Sequence, residues 1–345
     1  MMMFWMVVLL VIGVGAENHN EETHNVLCSL LKVSENEWTK VKTRESSDPL
    51  KRALHQTIFG YGSRAEAVEK LKSTLPESYK GMESGYSSRN FFCGQPRQES
   101  GYHNINQDRW AGHSAPHDMV CLCTVGHRGW PLNETDVSSI GKLCGKTKDD
   151  LGASTNEGWS DIKDGQGGEK QITATWFNVT SDCLHGSSRA GGLKQALNDF
   201  TNKLVQKWHN VYKDMYRLGV GNVSEYGACR GTPAMGVCTN YYPNNTDTQT
   251  WWQDLEQAIQ EDEKIQAQQQ RDEEERRKQQ GEVEKQDTSK TENLENLKSA
   301  TTITSHTQQK NHDSNLTDTT RKFNMKSGTP IILPSSWFFI AIWFV

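Results

Sequence analysis

The sequence predicts a mainly α domain with long disulfide-pinned loops, followed by a charged stalk that begins as helix and ends disordered. Three observations carry this. Apolar residues recur at helical spacing in several segments of 17–262. All eight cysteines of the 345-residue chain lie between Cys28 and Cys238. Finally, 266–321 contains no Cys, Trp, Tyr or Phe and cannot bury a core. Only 34% of residues are apolar, and 38 Lys+Arg face 43 Asp+Glu for a net charge of -5. With no basic excess, nucleic acid is excluded as a partner class.

In chain order, 1–16 has no charged side chain and a signal-length apolar run closed by Gly13, Gly15 and Ala16. Val14-Gly15-Ala16 suits signal peptidase, with the cut after Ala16, and the run is too short to cross a bilayer. No Lys or Arg precedes it, a departure from the usual pattern. The folded domain is expected over 17–262. A helix starts after Asp48 with Pro49 in its first turn, buries Leu50, Ala53, Leu54 and Ile58, and stops at Gly60. Ser63-x-x-Glu66 reads as a capping box ahead of Val68, Leu71 and Leu75, with Pro76 ending that helix.

Segment 77–190, rich in Gly, Ser and Cys, reads as long disulfide-pinned loops with little regular structure. The longest apolar pattern takes in Leu193, Ala196, Leu197, Phe200, Leu204, Trp208, Val211, Tyr212 and Met215. Running to Leu218, it predicts one helix of roughly 39 Å. A last helix starts near Thr250, with Thr250-x-x-Gln253 as capping box and Trp251, Leu255, Ala258, Ile259 and Ile265 inward.

The stalk is 263–327. Pairs such as Asp272–Arg276, Glu273–Arg277 and Glu274–Lys278 support helix around Glu261 to Gln280, and the remainder is expected to be disordered. At the C-terminus the small residues Ser327, Gly328 and Thr329 precede an uncharged apolar segment ending at Val345. That is the organisation of a glycosylphosphatidylinositol (GPI) attachment signal, with Ser327 as attachment site, Gly328 the alternative, and 328–345 removed. A tail-anchored helix is disfavoured because Pro330 and Pro334 interrupt it.

Behind a signal peptide, Cys28, Cys93, Cys121, Cys123, Cys144, Cys183, Cys229 and Cys238 imply disulfides, with on the order of a hundred pairings open. Cys121 and Cys123 are too close to bond each other, so each reaches elsewhere. Cys229 and Cys238 flank a Gly/Pro-containing loop, and local closure is one option. His113, His117 and His127 surround Cys121 and Cys123, but zinc sites normally show two separated pairs, so no metal is expected. Five Asn-x-Ser/Thr acceptors occur, at Asn133, Asn178, Asn222, Asn244 and Asn315.

Catalytic patterns fail in turn. Gly112-His113-Ser114-Ala115-Pro116 has Pro where a nucleophile elbow needs Gly. Gly165-Gln166-Gly167-Gly168 lacks the Lys of a phosphate loop, and His117-Asp118 is an ordinary polar pair. An even cysteine count leaves no spare thiol. Neither an enzyme nor a cofactor is expected.

Arg109 to Pro131 reads RWAGHSAPHDMVCLCTVGHRGWP. With Lys142-Leu143-Cys144-Gly145, Ala174-Thr175-Trp176, Asp182-Cys183-Leu184, Tyr226-Gly227-Ala228-Cys229 and Trp251-Trp252-Gln253-Asp254-Leu255, it resembles a variant surface glycoprotein of African trypanosomes over roughly 26–262. No cysteine follows Cys238, so it resembles the subtype with a cysteine-free C-terminal region, and no folded second domain is expected. The resemblance implies an elongated antiparallel helical bundle built on a long helix pair and a homodimer. It further implies a GPI anchor on the extracellular face of the plasma membrane, with neighbouring coat molecules and host antibodies as partners. The function implied is a coat that screens the membrane and supports antigenic variation and immune evasion. The alternative is a GPI-anchored receptor for a host serum protein on the same scaffold. Residues 77–190 and 219–249 are expected to form the membrane-distal, epitope-bearing surface.

Overall fold

A computed structural model describes residues 17–298, apart from 66, 83–88, 98–106, 134–139, 163–165, 186–190, 222–227, 246–247 and the side chains of 140, 166–167 and 281–298. The signal segment, Asn222, Asn315, Ser327 and Gly328 lie outside the described residues. About half of the structure is helix with only small sheets, a mainly α fold.

Strand β1 (Glu17–His19) leads into α1 (Glu21–Val41), a helix absent from the expected set. Its signal is present, since Leu27, Leu30, Leu31, Ser34, Trp38 and Val41 form one buried face at helical spacing. What is missing is a cap. Asn20 sits in the left-handed region (φ 59°), and its amide donates to the Leu122 and Val237 carbonyls at 2.9 and 2.8 Å instead.

Helix α2 (Pro49–Phe59) matches expectation: Asp48 accepts the Lys51 N–H at 2.8 Å, and Gly60 ends the helix at φ 88°. Helix α3 (Val68–Ser73) does not start from the expected box. Ser63 Oγ accepts from the Ala65 N–H, and Ala67 stands at the cap position without a side-chain bond.

The 77–190 segment holds more regular structure than its composition suggests. It contains α4 (Arg89–Cys93), α5 (Ala115–Cys123), β2 (Ile140–Leu143), β3 (Gly158–Trp159), β4 (Gln166–Gly167), α6 (Glu169–Thr175) and α7 (Ser181–Cys183). Helix α5 escapes periodicity because all nine of its residues are buried, leaving no polar face to mark the turn. Ser114 caps it, accepting from the His117 N–H, with Pro116 in the first turn.

The expected helix over 193–218 is wrong beyond its first third. Helix α8 (Leu193–Thr201) turns at 202–204 into β5 (Val205–His209), which pairs antiparallel with β6 (Lys213–Val220). Strand β6 pairs in turn with β7 (Val237–Tyr241), giving the order β5-β6-β7. Val205, Trp208, Val211, Tyr212 and Tyr216 favour strand, and their helical spacing is accidental. His209 Nδ1 accepts the Val211 and Tyr212 N–H groups and fixes the hairpin turn.

Helix α9 (Trp251–Lys298) is the last element among the described residues, and it continues past the expected end near Gln280. Its first turns bury Trp251, Trp252, Leu255, Ala258 and Ile259, whereas Ile265, expected inward, is exposed. Arg44–Asp262 at 2.7 Å, Lys194–Glu263 at 2.8 Å and Tyr61 Oη–Asp254 at 2.6 Å tie this part to the turn between α1 and α2, to α8 and to the turn after α2. The compact body ends at Arg277.

The eight cysteines form four disulfides, Cys28–Cys183, Cys93–Cys121, Cys123–Cys144 and Cys229–Cys238. Cys121 and Cys123 thus each reach a different segment, and Cys229–Cys238 closes locally across a separation of 9.

Candidate functional site

The polar groups singled out in the sequence converge on α5, inside the body. His117 is wholly buried. Its Nε2 lies 3.0 Å from the Phe92 carbonyl, which only accepts, so Nε2 carries the proton and Nδ1 accepts the Tyr79 hydroxyl at 2.7 Å. His113 places Nε2 at 3.1 Å from the Tyr61 carbonyl and faces Arg109 with Nδ1 at 3.5 Å. Burial, reinforced by the Arg109 charge, pulls His117 down to about 3 and His113 well below its ordinary value, so both are neutral.

Asp118, also wholly buried, accepts three bonds. Oδ1 takes the Gly112 N–H at 2.9 Å, and Oδ2 takes the Tyr241 hydroxyl at 2.9 Å and the Trp251 indole N–H at 2.7 Å. Burial outweighs these donors and pushes its carboxyl up to about 7. At the other end of α5 the buried Arg89 guanidinium donates to the carbonyls of Cys121, Thr124 and Trp159 at 2.6, 2.8 and 3.2 Å. It also lies 5.0 Å from the Trp159 ring centre. Burial pulls Arg89 down to about 9.

This arrangement locks segments together. The ring nitrogens of His113 and His117 and the oxygens of Asp118 are engaged, and Cys121 and Cys123 are spent in disulfides. Two metal-like groups occur among the described residues, His24 with Cys28 and Cys183, and Cys93 with His117 and Cys121. In each the two sulfurs are bonded to each other, so no thiolate is offered. Of the three histidines expected around Cys121 and Cys123, His117 alone joins such a group.

Three of the sequon asparagines fall among the described residues. Asn178 and Asn244 are exposed and Asn133 is partly so, with Nδ2 atoms near Asp150 O (2.6 Å), Asp214 Oδ2 (3.5 Å) and Arg128 O (3.3 Å) respectively. Among the described residues no helix is long and apolar enough to cross a membrane.

Residues 34–280 match the trypanosomal VSG domain, most of the chain. The chain belongs to that family. No curated protein matches it significantly. VSG domains build the surface coat of trypanosomes, in which neighbouring molecules pack together. In this VSG domain the residues that carry the likeness are mostly interior: Trp110, Cys121, Leu122, Cys123, Cys144, Trp176, Cys183, Cys229 and Trp251 are all buried. Sequence reasoning missed Arg89, Tyr79 and Asn20 as organisers of the VSG core. Nothing local marks them, because each acts on a partner distant in sequence.

Proposed function

We propose that this chain is a GPI-anchored coat glycoprotein that shields the parasite plasma membrane and takes part in antigenic variation and evasion of host antibodies. The observation that carries this is the VSG domain match over 34–280. It is supported by a body cross-linked at four disulfides, as suits a secreted protein.

On this reading 1–16 is a cleaved signal peptide, 17–262 the folded domain, and 263–327 the cysteine-free stalk. Residue Ser327, or Gly328, carries the lipid, and 328–345 is removed. The protein acts as a homodimer among other coat molecules, N-glycosylated at some of Asn133, Asn178, Asn222, Asn244 and Asn315. Its mechanism is steric: dense packing withholds the membrane from antibodies, and exposed residues of 77–190 and 219–249 present the epitopes. The buried block around α5 keeps the interior constant behind them.

Phosphatidylinositol-specific phospholipase C on intact expressing cells tests this. Release of one dominant glycoprotein bearing a lipid remnant at Ser327 or Gly328 is expected. Continued attachment rejects the anchor, and release of a scarce species points to a receptor.

A further inference from the structure

The body contains eight tryptophans between Trp38 and Trp252, and seven of them are at most 8% exposed. Trp208 is 62% exposed. A large apolar ring left in water on a hairpin strand calls for a cover.

The hairpin register shows what stands beside it. Trp208 lies directly opposite Asp214 in the β5–β6 pair, so both side chains project from one face, with Cβ atoms about 4.5–5.5 Å apart. Gln206, two residues before Trp208 and on the same face, donates to Asp214 Oδ1 at 2.8 Å. The other carboxylate oxygen, Oδ2, accepts from Asn244 Nδ2 at 3.5 Å. Asn244 is exposed and begins the acceptor Asn244-Asn245-Thr246. Asp214 therefore sits between the attachment nitrogen of a sequon and an uncovered indole.

We propose that Asn244 carries an N-glycan whose first sugar residues lie on the indole face of Trp208. This rests on the reading of the chain as a secreted glycoprotein. Transfer from a lipid-pyrophosphate sugar donor forms a bond between Asn244 Nδ2 and C1 of the first sugar. It breaks the C1–O bond to the donor and releases one amide proton with the lipid pyrophosphate. The remaining Nδ2–H still donates to Asp214, which orients the sugar over β5. The C–H-rich face of a pyranose meets the electron-rich indole face, the geometry aromatic rings favour for polarised C–H groups. The glycan is thus a packed part of the hairpin, covering an apolar ring that the polypeptide leaves bare.

The test uses the glycoprotein released from expressing cells. Peptide mass spectrometry reads Asn244 occupancy, and oxidative footprinting of the native protein reads each tryptophan before and after peptide-N-glycosidase treatment. Covering one of two ring faces halves access, so removing the glycan should raise Trp208 oxidation about twofold while the seven buried tryptophans hold constant. Thr246→Ala, which abolishes the acceptor but leaves Asn244 and Asp214 in place, should give the same rise. An unmodified Asn244, or an occupied one whose removal leaves Trp208 oxidation unchanged, overturns the proposal. The coat reading is judged separately by lipid release and surface abundance, so the two can fail independently.

Discussion

Replacing Asp118 by Ala should destabilise the body by an amount that depends on pH in a specific direction. The substitution leaves the Gly112 N–H, the Tyr241 hydroxyl and the Trp251 indole N–H as buried donors without their acceptor. At about 1–3 kcal/mol each, the middle of the range is about 6 kcal/mol. The native carboxyl is itself costly when ionised, because burial pushes it from 3.8 up to about 7. That is about three pKa steps, or about 4 kcal/mol, which the mutant recovers once the pH exceeds 7. A raised folded value means that this group's contribution is full below its unfolded value and is lost as pH rises to about 7. The net loss is therefore about 2 kcal/mol at pH 7.4 and about 4 kcal/mol at pH 5. Urea unfolding of disulfide-intact protein at both pH values, followed by tryptophan fluorescence, measures the gap. Wild type and mutant share the same histidines, so those terms cancel. A gap that is equal at the two pH values, or wider at 7.4, refutes the reasoning. Adding Tyr241→Phe to the mutant should return about 1–3 kcal/mol by deleting one orphaned donor while keeping the ring.

The whole body should lose stability in acid. Burial pulls His117 down to about 3 and His19 to about 4, and lowers His24 and His113 as well. The unfolded chain therefore takes up protons first as pH falls below 6.5, at on the order of 2–4 kcal/mol per pH unit after the opposing Asp118 slope. Melting by circular dichroism should show a lower Tm at pH 5 than at pH 7.4, and a higher one defeats the assignment of these rings as buried and neutral. Gly126→Ala would drive its Cβ into the Gly231 carbonyl, a backbone group that cannot swing aside, and should cost about 3 kcal/mol or more. Gly145→Ala, with open space but φ 79°, should cost only about 1–2 kcal/mol. Equal losses in equilibrium unfolding would show that the Gly126 crossing is looser than it looks. Removing Cys28–Cys183, which spans 155 residues, should cost about 5 kcal/mol, against about 3 kcal/mol for the 9-residue Cys229–Cys238 link. Paired Cys→Ser variants compared by chemical denaturation check the order.

Legibility followed how far the determining physics is local. Helix α2 was readable because Asp48, Pro49 and Gly60 mark its ends within eleven residues of regular burial. The start of α9 was readable from the apolar run after Thr250. Helix α1 carries a clean buried face but starts at an Asn whose side chain serves other strands, so its entry signal is missing. The 193–218 stretch combines helical spacing with residues that favour strand, such as Val205, Trp208, Val211 and Tyr212. The choice between helix and strand is made by tertiary contacts, with Met215 against Tyr242 and Leu218 in the main core. For the site, the sequence supplied His113, His117, Asp118 and the Cys121/Cys123 pair but not their partners. Tyr79, Arg89, Tyr241 and Trp251 reach α5 from 32 to 133 positions away, a distance no motif spans.

Helix α5 has a further consequence through its dipole. Asp118 lies in its first turn, where the backbone presents positive partial charge, and Arg89 grips carbonyls of its last turn, where the partial charge is negative. The buried guanidinium, and the buried carboxyl when it is ionised, each sit at the favourable pole of one nine-residue helix. Arg89 adds donors to the carbonyls at the end of a helix whose start Ser114 already caps. The winding of α5 and the burial of these two groups therefore favour each other. The same nine residues that bring Cys121 and Cys123 to their disulfide partners thus also set the local potential in which a carboxyl and a guanidinium are buried.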